Sequence, residues 1–306
     1  MGSPRVAVAP VGLRDYLRRA VRDGGGELVD AADAEALVWA DEGDPEGLTE
    51  LLDRYSGIRW VQLPWAGVEP YARAGVFDRA HRWTSGKGVY AEPVAEHALA
   101  LTLAGMREMK RWARARSWGD EAGISLTRGR VTIFGGGGVA QVLLRLLAPF
   151  GCHVTVIRRH PTDMAGADEV IDFARRYEAL KGADAVILAL ALTPETGGLI
   201  SSIELELMEA HAWVVNVARG EHIVTEDLIV ALKDDVIGGA ALDVTDPEPL
   251  PEGHPLWELP NCLVTPHVAN TEDMAKPLLA GRISENVRRY AAGEALLGTV
   301  DPDLGY

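Results

Sequence analysis

The stretch that decides the fold is VTIFGGGGVA, residues 131–140. Residues 131–134 form an apolar run that predicts a strand, and an apolar helical pattern follows over residues 139–150. The turn between them reads G-x-G-x-x-A, in which the first glycine permits a tight turn and the second lets the backbone approach a pyrophosphate. The free N–H groups at the start of the helix attract the anion. This strand–turn–helix context predicts a dinucleotide site, with the cofactor-binding positions Gly135, Gly137, Gly138 and Val139.

Short apolar runs alternate with helical patterns on both sides of this turn, which predicts parallel sheets built from βαβ units. Before it, strands are predicted over 6–9, 36–40 and 59–63, and helices over 13–22 and 45–55. After it, strands are predicted over 153–157, 185–192, 213–218, 239–244 and 262–265, and helices over 225–232 and 272–290, with Thr225 as a helix cap.

The length of 306 residues favours about two domains. We predict an α/β protein with two doubly wound domains, Rossmann-like or flavodoxin-like, and an active-site cleft between them. Residues 1–92 and 276–306 form the predicted substrate domain, and residues 93–275 form the dinucleotide-binding domain. A long helix over 93–112 has two apolar faces and therefore needs two partners, its own domain and a second subunit. Its basic end, which carries Arg107, Lys110, Arg111, Arg114 and Arg116, is predicted to be a solvated face.

Composition excludes several other classes of protein. A formal charge of -15 argues against a partner made of nucleic acid. No apolar stretch approaches the ~20 residues that span a bilayer, and the N-terminal segment does not resemble a signal peptide. The two cysteines, Cys152 and Cys262, lie in apolar contexts that predict buried free thiols. We therefore expect a cytoplasmic enzyme that binds a small molecule.

The next predicted strand, HVTVI, ends in Arg158 and Arg159. An NAD-binding unit has an acidic residue here, because a carboxylate holds the ribose 2′-hydroxyl. Guanidinium groups instead match the 2′-phosphate of NADP, which they can grip through two hydrogen bonds. NADPH is the predicted cofactor, and NAD remains possible.

Three residues behind the turn indicate the reaction. Arg219 directly follows the run WVVNVA, where a guanidinium could bind a substrate carboxylate. Glu248 lies in a proline-rich loop, and His267 follows Val264-Thr265-Pro266. A carboxylate beside an imidazole raises its pKa and fixes its tautomer, as a proton donor near neutral pH requires. The remaining histidines have no predicted acidic partner, and no motif indicates a metal site.

The chain resembles the D-isomer-specific 2-hydroxyacid dehydrogenase family, and its glyoxylate/hydroxypyruvate reductase branch in particular. The similar segments follow the family order: AGVE, GVYAEPVAEHALAL, the glycine turn, LTPETGGLI, NVARG, GAALDV, DPEPLP, HPLWELPN and TPH. The resemblance implies hydride transfer between a nicotinamide cofactor and a small 2-oxo or D-2-hydroxy acid. Arg219 would bind and polarise the substrate, and His267, tuned by Glu248, would be the acid/base.

The resemblance also implies roles for residues that local pattern leaves unassigned. Asp243 would hold the nicotinamide carboxamide, and Thr193 and Ala218 would lie at the cofactor. Ala66 and Gly67 would offer backbone N–H groups to the substrate carboxylate, beside Trp65. A homodimer through residues 93–118 is implied as well.

The chain also departs from the family pattern, with Ala140 in place of the third glycine and Ala191 in place of the commoner proline. Arg158 replaces the acidic residue of the NAD-dependent members, and Asn270 stands where glycine is usual, with no role that we can assign. The alternatives left open are a phosphoglycerate, formate or phosphite dehydrogenase of the same family, or a dinucleotide-sensing corepressor. Glu248 disfavours the formate enzymes, which carry glutamine there.

Overall fold

The computed structural model describes residues 2–304, which form two compact units. One unit runs to Tyr90 and resumes at Thr271, and the other comprises Ala91–Asn270. The strands are β1 Arg5–Ala9, β2 Glu27–Leu28, β3 Ala36–Trp39, β4 Trp60–Gln62, β5 Arg82–Thr84, β6 Arg130–Phe134, β7 His153–Ile157, β8 Glu169–Ile171, β9 Ala185–Leu188, β10 Trp213–Asn216, β11 Gly239–Leu242 and β12 Cys262–Val264. The α-helices are α1 Tyr16–Asp23, α2 Pro45–Arg54, α3 Glu69–Arg73, α4 Ala91–Met106, α5 Met109–Arg114, α6 Gly138–Leu147, α7 Arg176–Leu180, α8 Ser202–Leu207, α9 Thr225–Lys233, α10 Pro255–Glu258 and α11 Glu272–Ala292.

The first unit contains a parallel sheet with the strand order β2-β1-β3-β4-β5. Strands β3 and β4 are buried along their whole length, as expected for a parallel sheet covered on both faces. This is the flavodoxin-like order, in which the direction of chain progression reverses between β1 and β3. The loops that follow these strands therefore occupy the edge of the sheet where such folds bind ligands.

The second unit contains a larger parallel sheet with the order β12-β11-β10-β9-β6-β7-β8. Chain progression reverses between β6 and β9, so the glycine turn after β6 lies at the topological switch point. The two parallel sheets with their helices confirm the predicted α/β class.

The long helix predicted over 93–112 is interrupted. Helix α4 ends at Met106, and Glu108 adopts a left-handed conformation with φ 49° before α5 begins.

Lys110, which was predicted to lie on a solvated face, is instead bound to the backbone. Its Nζ donates to the carbonyls of Trp257, Leu259 and Cys262 at 3.1, 2.8 and 2.6 Å. A lysine satisfies three orphan carbonyls here, which a charge pattern alone does not reveal.

Other predictions need smaller corrections. Thr225 does not cap α9; it is the first helical residue, and its hydroxyl donates to the carbonyl of Asp246 at 2.6 Å. The run predicted as a strand over 185–192 leaves the sheet after Leu188. Both cysteines are free, as predicted, but Cys262 alone of the two is buried, whereas Cys152 is partly exposed. Within residues 2–304, no helix is long and apolar enough to cross a membrane.

Candidate active site

The glycine turn packs closely against the loop after β9 and leads directly into α6. Gly135 has φ +108°, and a Cβ there would lie 2.2 Å from the carbonyl oxygen of Ala189, so only glycine fits. Gly137 precedes α6, and a Cβ there would meet nothing within 4 Å. No side chain caps the first turn of α6. Open space beside Gly137 and a helix N-terminus without a side-chain cap suit an anion at the start of this ten-residue helix.

Arg158 follows β7 directly and lies over this turn. A Cβ added to Gly136 would come within 2.8 Å of Cδ and 2.9 Å of Nε of Arg158. The absence of a side chain at position 136 therefore makes room for the side chain of Arg158. The side chain of Arg158 is half-buried, and Arg159 beside it is exposed. The structure therefore puts a guanidinium beside the predicted pyrophosphate position.

Arg219 follows β10 in a turn held by a buried amide. Asn216, the last residue of β10, donates from Nδ2 to the carbonyl of Arg219 at 2.8 Å and accepts from the N–H of Ala218 at 3.0 Å. The Arg219 guanidinium donates to the carbonyl of Ala218 at 2.6 Å. At Gly220 a Cβ would lie 2.0 Å from the Thr245 carbonyl, so the loops after β10 and β11 touch through their backbones.

Glu248 and His267 meet, although 19 positions separate them in the chain. His267 Nδ1 lies 2.7 Å from Glu248 Oε1, and the two side chains are 53% and 43% exposed. Because a carboxylate only accepts, Nδ1 carries the proton and Nε2 is the nitrogen available for chemistry. The backbone of His267 is left-handed, with φ 52°.

Asp243 follows β11 and is almost fully buried. Its carboxylate accepts from the Thr265 hydroxyl at 2.6 Å and from the N–H groups of Val268 and Ala269 at 2.9 and 3.0 Å. His97 Nε2 lies 3.3 Å from the same carboxylate. Burial alone would raise the pKa of Asp243, but the hydrogen bonds from His97, Thr265 and the two amides outweigh it and hold the pKa below its ordinary value.

The expectation that other histidines lack an acidic partner is therefore wrong. His97 approaches Asp243, His211 Nε2 lies 2.7 Å from Asp184 Oδ1, and His81 Nδ1 lies 2.8 Å from Asp78 Oδ1. Of these three histidines, His97 alone adjoins a predicted site residue. Sequence analysis also missed Asn216 and Thr265, whose hydrogen bonds shape the loops after β10 and β12.

Thr193 lies in the loop that follows β9. Its N–H donates to the hydroxyl of Thr196 at 2.8 Å, and the carbonyl of Thr196 is 2.9 Å from Nδ1 of the buried His222. Burial is the main reason why the pKa of His222 is lowered, so the imidazole is neutral. His222 holds this loop through its hydrogen bond with the Thr196 carbonyl. Ala218 is itself buried in the turn before Arg219.

In the first unit, Trp65 lies in the loop after β4. Its indole N–H donates to Glu42, which also pairs with Arg14, and the Arg14 guanidinium stacks 5.0 Å from the indole ring. Burial would raise the pKa of Glu42, but hydrogen bonds from Trp65 and Arg14 lower it. Ala66 is exposed and Gly67 half-buried, so the backbone after this fixed indole is accessible. Sequence analysis did not single out Arg14 or Glu42.

The second unit therefore gathers most of the predicted site residues at one edge of its sheet. The glycine turn, Thr193, Arg219, Asp243 and His267 each follow the carboxyl end of a parallel strand. This is the edge where open α/β sheets bind ligands. Among the residues that the structure describes, no group of acidic, histidine and cysteine side chains could hold a metal ion.

Known proteins share both the sequence and the fold. A family model described as D-isomer specific 2-hydroxyacid dehydrogenase, NAD binding domain, matches residues 97–269. Glyoxylate/hydroxypyruvate reductase A of Photorhabdus laumondii is 32% identical over 89% of this chain and 87% of its own length. An uncharacterized protein of Corynebacterium melassecola is 35% identical over 94% of this chain and 95% of its own.

Among solved structures, a D-isomer specific 2-hydroxyacid dehydrogenase from Xanthobacter autotrophicus, crystallised with NADPH and MES, covers all of both chains with a TM-score of 0.85 and 27% identity. The matched family model covers more than half of the chain and includes the glycine turn, Arg219 and His267. The chain therefore belongs to the D-isomer specific 2-hydroxyacid dehydrogenase family, and it is an oxidoreductase that uses a nicotinamide dinucleotide.

Proposed function

We propose that this protein reduces a small 2-oxo acid, glyoxylate or hydroxypyruvate, to the 2-hydroxy acid with NADPH. The observation that carries the proposal is the 2.7 Å pair of His267 and Glu248, at the same sheet edge as Arg219 and the glycine turn. The name of the Photorhabdus relative and the NADPH in the Xanthobacter structure favour this substrate and this cofactor over the alternatives.

In this proposal the residues divide the work. NADPH supplies the hydride. The guanidinium of Arg219 binds the substrate carboxylate and polarises the carbonyl. His267 gives a proton from Nε2 to the carbonyl oxygen, while Glu248 holds Nδ1 and stabilises the charged imidazolium before the transfer.

The cofactor is assigned to the second unit. Gly135, Gly137, Gly138 and Val139 would hold the pyrophosphate, and Thr193 and Ala218 would line the site. An ionised carboxylate offers about four acceptor positions. We propose that Asp243, which accepts from Thr265, Val268 and Ala269, also accepts from the nicotinamide carboxamide.

The substrate is assigned in part to the first unit. We propose that the N–H groups of Ala66 and Gly67 contact the substrate carboxylate, beside an indole that Glu42 and Arg14 hold in place.

A cytoplasmic location is also proposed, because Cys152 and Cys262 are free thiols, as is usual in a reducing compartment.

A panel of 2-oxo acids tests the function. Absorbance loss at the nicotinamide band is followed with NADPH and with NADH for glyoxylate, hydroxypyruvate, pyruvate and 3-phosphohydroxypyruvate. The proposal expects glyoxylate or hydroxypyruvate with NADPH to give the highest kcat/KM. Turnover confined to the phosphorylated substrate would favour a phosphoglycerate dehydrogenase, and cofactor binding without any turnover would favour a dinucleotide-sensing protein.

Arg219→Lys is expected to lower kcat/KM about 10–100-fold, the effect of losing one charge-assisted hydrogen bond. Lysine keeps the charge but cannot reproduce the two-pronged contact. Substrate KM should rise and kcat should fall, because the same group holds the carboxylate and polarises the carbonyl. NADPH affinity, measured by fluorescence titration, serves as the internal control and should stay constant. Unchanged kinetics with both substrates would mean that the carboxylate binds elsewhere.

A homodimer through residues 93–118 completes the proposal. Met109 is 52% exposed and the Trp118 side chain is fully exposed, although both are large and apolar. A cavity of about 550 Å³ lies beside α4, with Gly105, Trp213 and Leu263 in its wall. A second copy of the same segment would cover these apolar groups.

Trp118→Asp is expected to weaken the dimer. Interface tryptophans are often worth about 2 kcal/mol or more, which is roughly a thirty-fold change in dissociation constant. Sedimentation velocity over a range of protein concentrations measures the change. Ile203→Asp is the control, because Ile203 is also exposed, at 60%, but lies on α8 outside the segment. A shift in mass with Ile203→Asp alone would move the interface to another surface.

A further inference from the structure

Three consecutive backbone N–H groups of the loop that carries His267 donate to Asp243. The N–H of His267 donates to the backbone carbonyl of Asp243 at 2.8 Å. The next two N–H groups, of Val268 and Ala269, donate to the two carboxylate oxygens of the same aspartate at 2.9 and 3.0 Å. His267 also has φ 52°, a conformation that costs energy for a residue with a side chain and persists only where its surroundings impose it. The N–H of His267 also lies 3.0 Å from the carbonyl of Thr265, and Asp243 supplies the other contacts that hold this conformation.

Asp243 is in turn held from α4. The Thr265 hydroxyl lies 2.6 Å from Asp243 Oδ1, and His97 Nε2 lies 3.1 Å from the same hydroxyl oxygen and 3.3 Å from Oδ1. The carboxylate is ionised, because these hydrogen bonds hold the pKa of Asp243 low against the effect of burial. A carboxylate only accepts, so the single Thr265 proton points to Asp243 and the Thr265 oxygen must accept from His97.

His97 therefore donates to the Thr265 hydroxyl, and the Thr265 hydroxyl donates to Asp243. The side chain of Asp243 is 1% exposed, so each donor it loses leaves buried negative charge without compensation. His97 is 23% exposed and comes from a helix that contributes none of the predicted catalytic residues. Among residues 2–304, the N–H of His97 is the one donor to this hydrogen-bonded network that comes from outside the loops after β11 and β12.

We propose that His97 is a positioning residue for the reaction, which fixes Thr265 and Asp243 and thereby holds the backbone that presents His267. This inference deepens the proposed function and rests on His267 as the proton donor. The polar partners that the structure describes for His97 are Thr265 and Asp243, so we propose that it acts on His267 through the hydrogen bonds of these two residues. Loss of its N–H should let the loop of residues 265–269 sample other conformations, in which His267 Nε2 is misplaced.

Three substitutions separate the hydrogen bond from packing. His97→Gln keeps an N–H donor close to the position of Nε2, His97→Phe keeps the volume without the donor, and His97→Ala removes both. The matched control is His211→Ala, because His211 pairs with Asp184 in the same unit at 2.7 Å but has no contact with the site residues. We expect kcat to fall about 10–100-fold in the Phe and Ala variants, as small misplacements of a catalytic group can cause. The Gln variant and His211→Ala should retain most of kcat.

Two further readouts distinguish positioning from a general structural role. Substrate KM should change little, because Arg219 is not part of this network. Amide hydrogen exchange of residues 265–269 should accelerate in the Phe and Ala variants and stay near wild type in the Gln variant, with exchange in the β6 strand unchanged in all. The Phe and Gln variants fill the space of the imidazole, so their comparison decides the matter even where the Ala variant fails to fold.

The outcomes also separate this inference from the proposed function. Wild-type kcat in His97→Phe, combined with an inactive His267→Ala, overturns the role of His97 and leaves the proposed function intact. An equal loss in His97→Gln and His97→Phe likewise rejects the hydrogen bond as the cause. Full activity in His267→Ala would reject the proposed function itself, whatever the His97 variants do.

Discussion

His267→Ala is expected to lower kcat for 2-oxo acid reduction by about 10²–10⁴, the usual contribution of a general acid. NADPH should bind the variant with little change, because the cofactor-binding residues that we propose include the glycine turn and Arg158 but not His267. The pair with Glu248 at 2.7 Å leaves Nε2 as the nitrogen that can give a proton to a carbonyl oxygen. Steady-state kinetics with glyoxylate and hydroxypyruvate, together with fluorescence titration of NADPH, measure the two quantities separately.

His153→Ala is the matched control for this experiment. His153 also approaches a carboxylate, with Nδ1 3.4 Å from Asp168 Oδ2, but it begins β7 at the opposite edge of the same sheet. Its removal should leave kcat near the wild-type value. The kcat of Glu248→Gln should lie between those of His267→Ala and His153→Ala, because glutamine can accept a hydrogen bond from Nδ1 but cannot stabilise the charged imidazolium. Near-wild-type turnover in His267→Ala would falsify the role of His267.

The place of the site in the fold followed from the sequence for a physical reason. Buried parallel strands are continuous apolar runs, and their carboxyl ends lie on one edge of the sheet. A polar residue directly after such a run therefore lies at the ligand edge, as Arg219, Asp243 and His267 do. For Arg219 and His267 the prediction needed only the order of the apolar runs and the residues that follow them, whereas Asp243 was assigned only through the resemblance to the family.

The short strands and the break after α4 left no recognisable pattern in the sequence. Strands β2, β5 and β8 have two or three residues, too few for a periodic pattern, and exist because neighbouring strands offer them hydrogen bonds. The break after α4 depends on one left-handed residue, Glu108, inside a stretch of good helix formers.

Contacts between distant residues were the least predictable feature. His97 and Thr265 lie 168 positions apart, yet their side chains are 3.1 Å from each other. A histidine on a helix is usually a packing residue, so its position alone gave no reason to connect it with Asp243. The clamp of Asn216 on Arg219 was equally hidden, because a buried polar residue at the end of a strand is recognised only once its partners are known.

The proposed preference for NADPH rests on Arg158. Arg158 ends the strand where an NAD enzyme has its ribose-binding acid, and its side chain lies against Gly136 of the pyrophosphate turn. A guanidinium in this position suits the dianionic 2′-phosphate of NADPH. One charge-assisted hydrogen bond contributes roughly 1.5–3 kcal/mol, so the expected preference for NADPH over NADH is on the order of 10–100-fold.

Replacing Arg158 with aspartate and Arg159 with serine is expected to remove this preference and to reverse it if the new carboxylate reaches the ribose hydroxyls. The measurement is kcat/KM for both cofactors at two ionic strengths. The wild-type preference should shrink with added salt, because the contact is ionic and half-buried. Arg19→Asp combined with Arg22→Ser makes the same change in charge on the exposed face of α1 and should leave the preference intact. A wild-type enzyme that prefers NADH would mean that neither arginine contacts the cofactor phosphate.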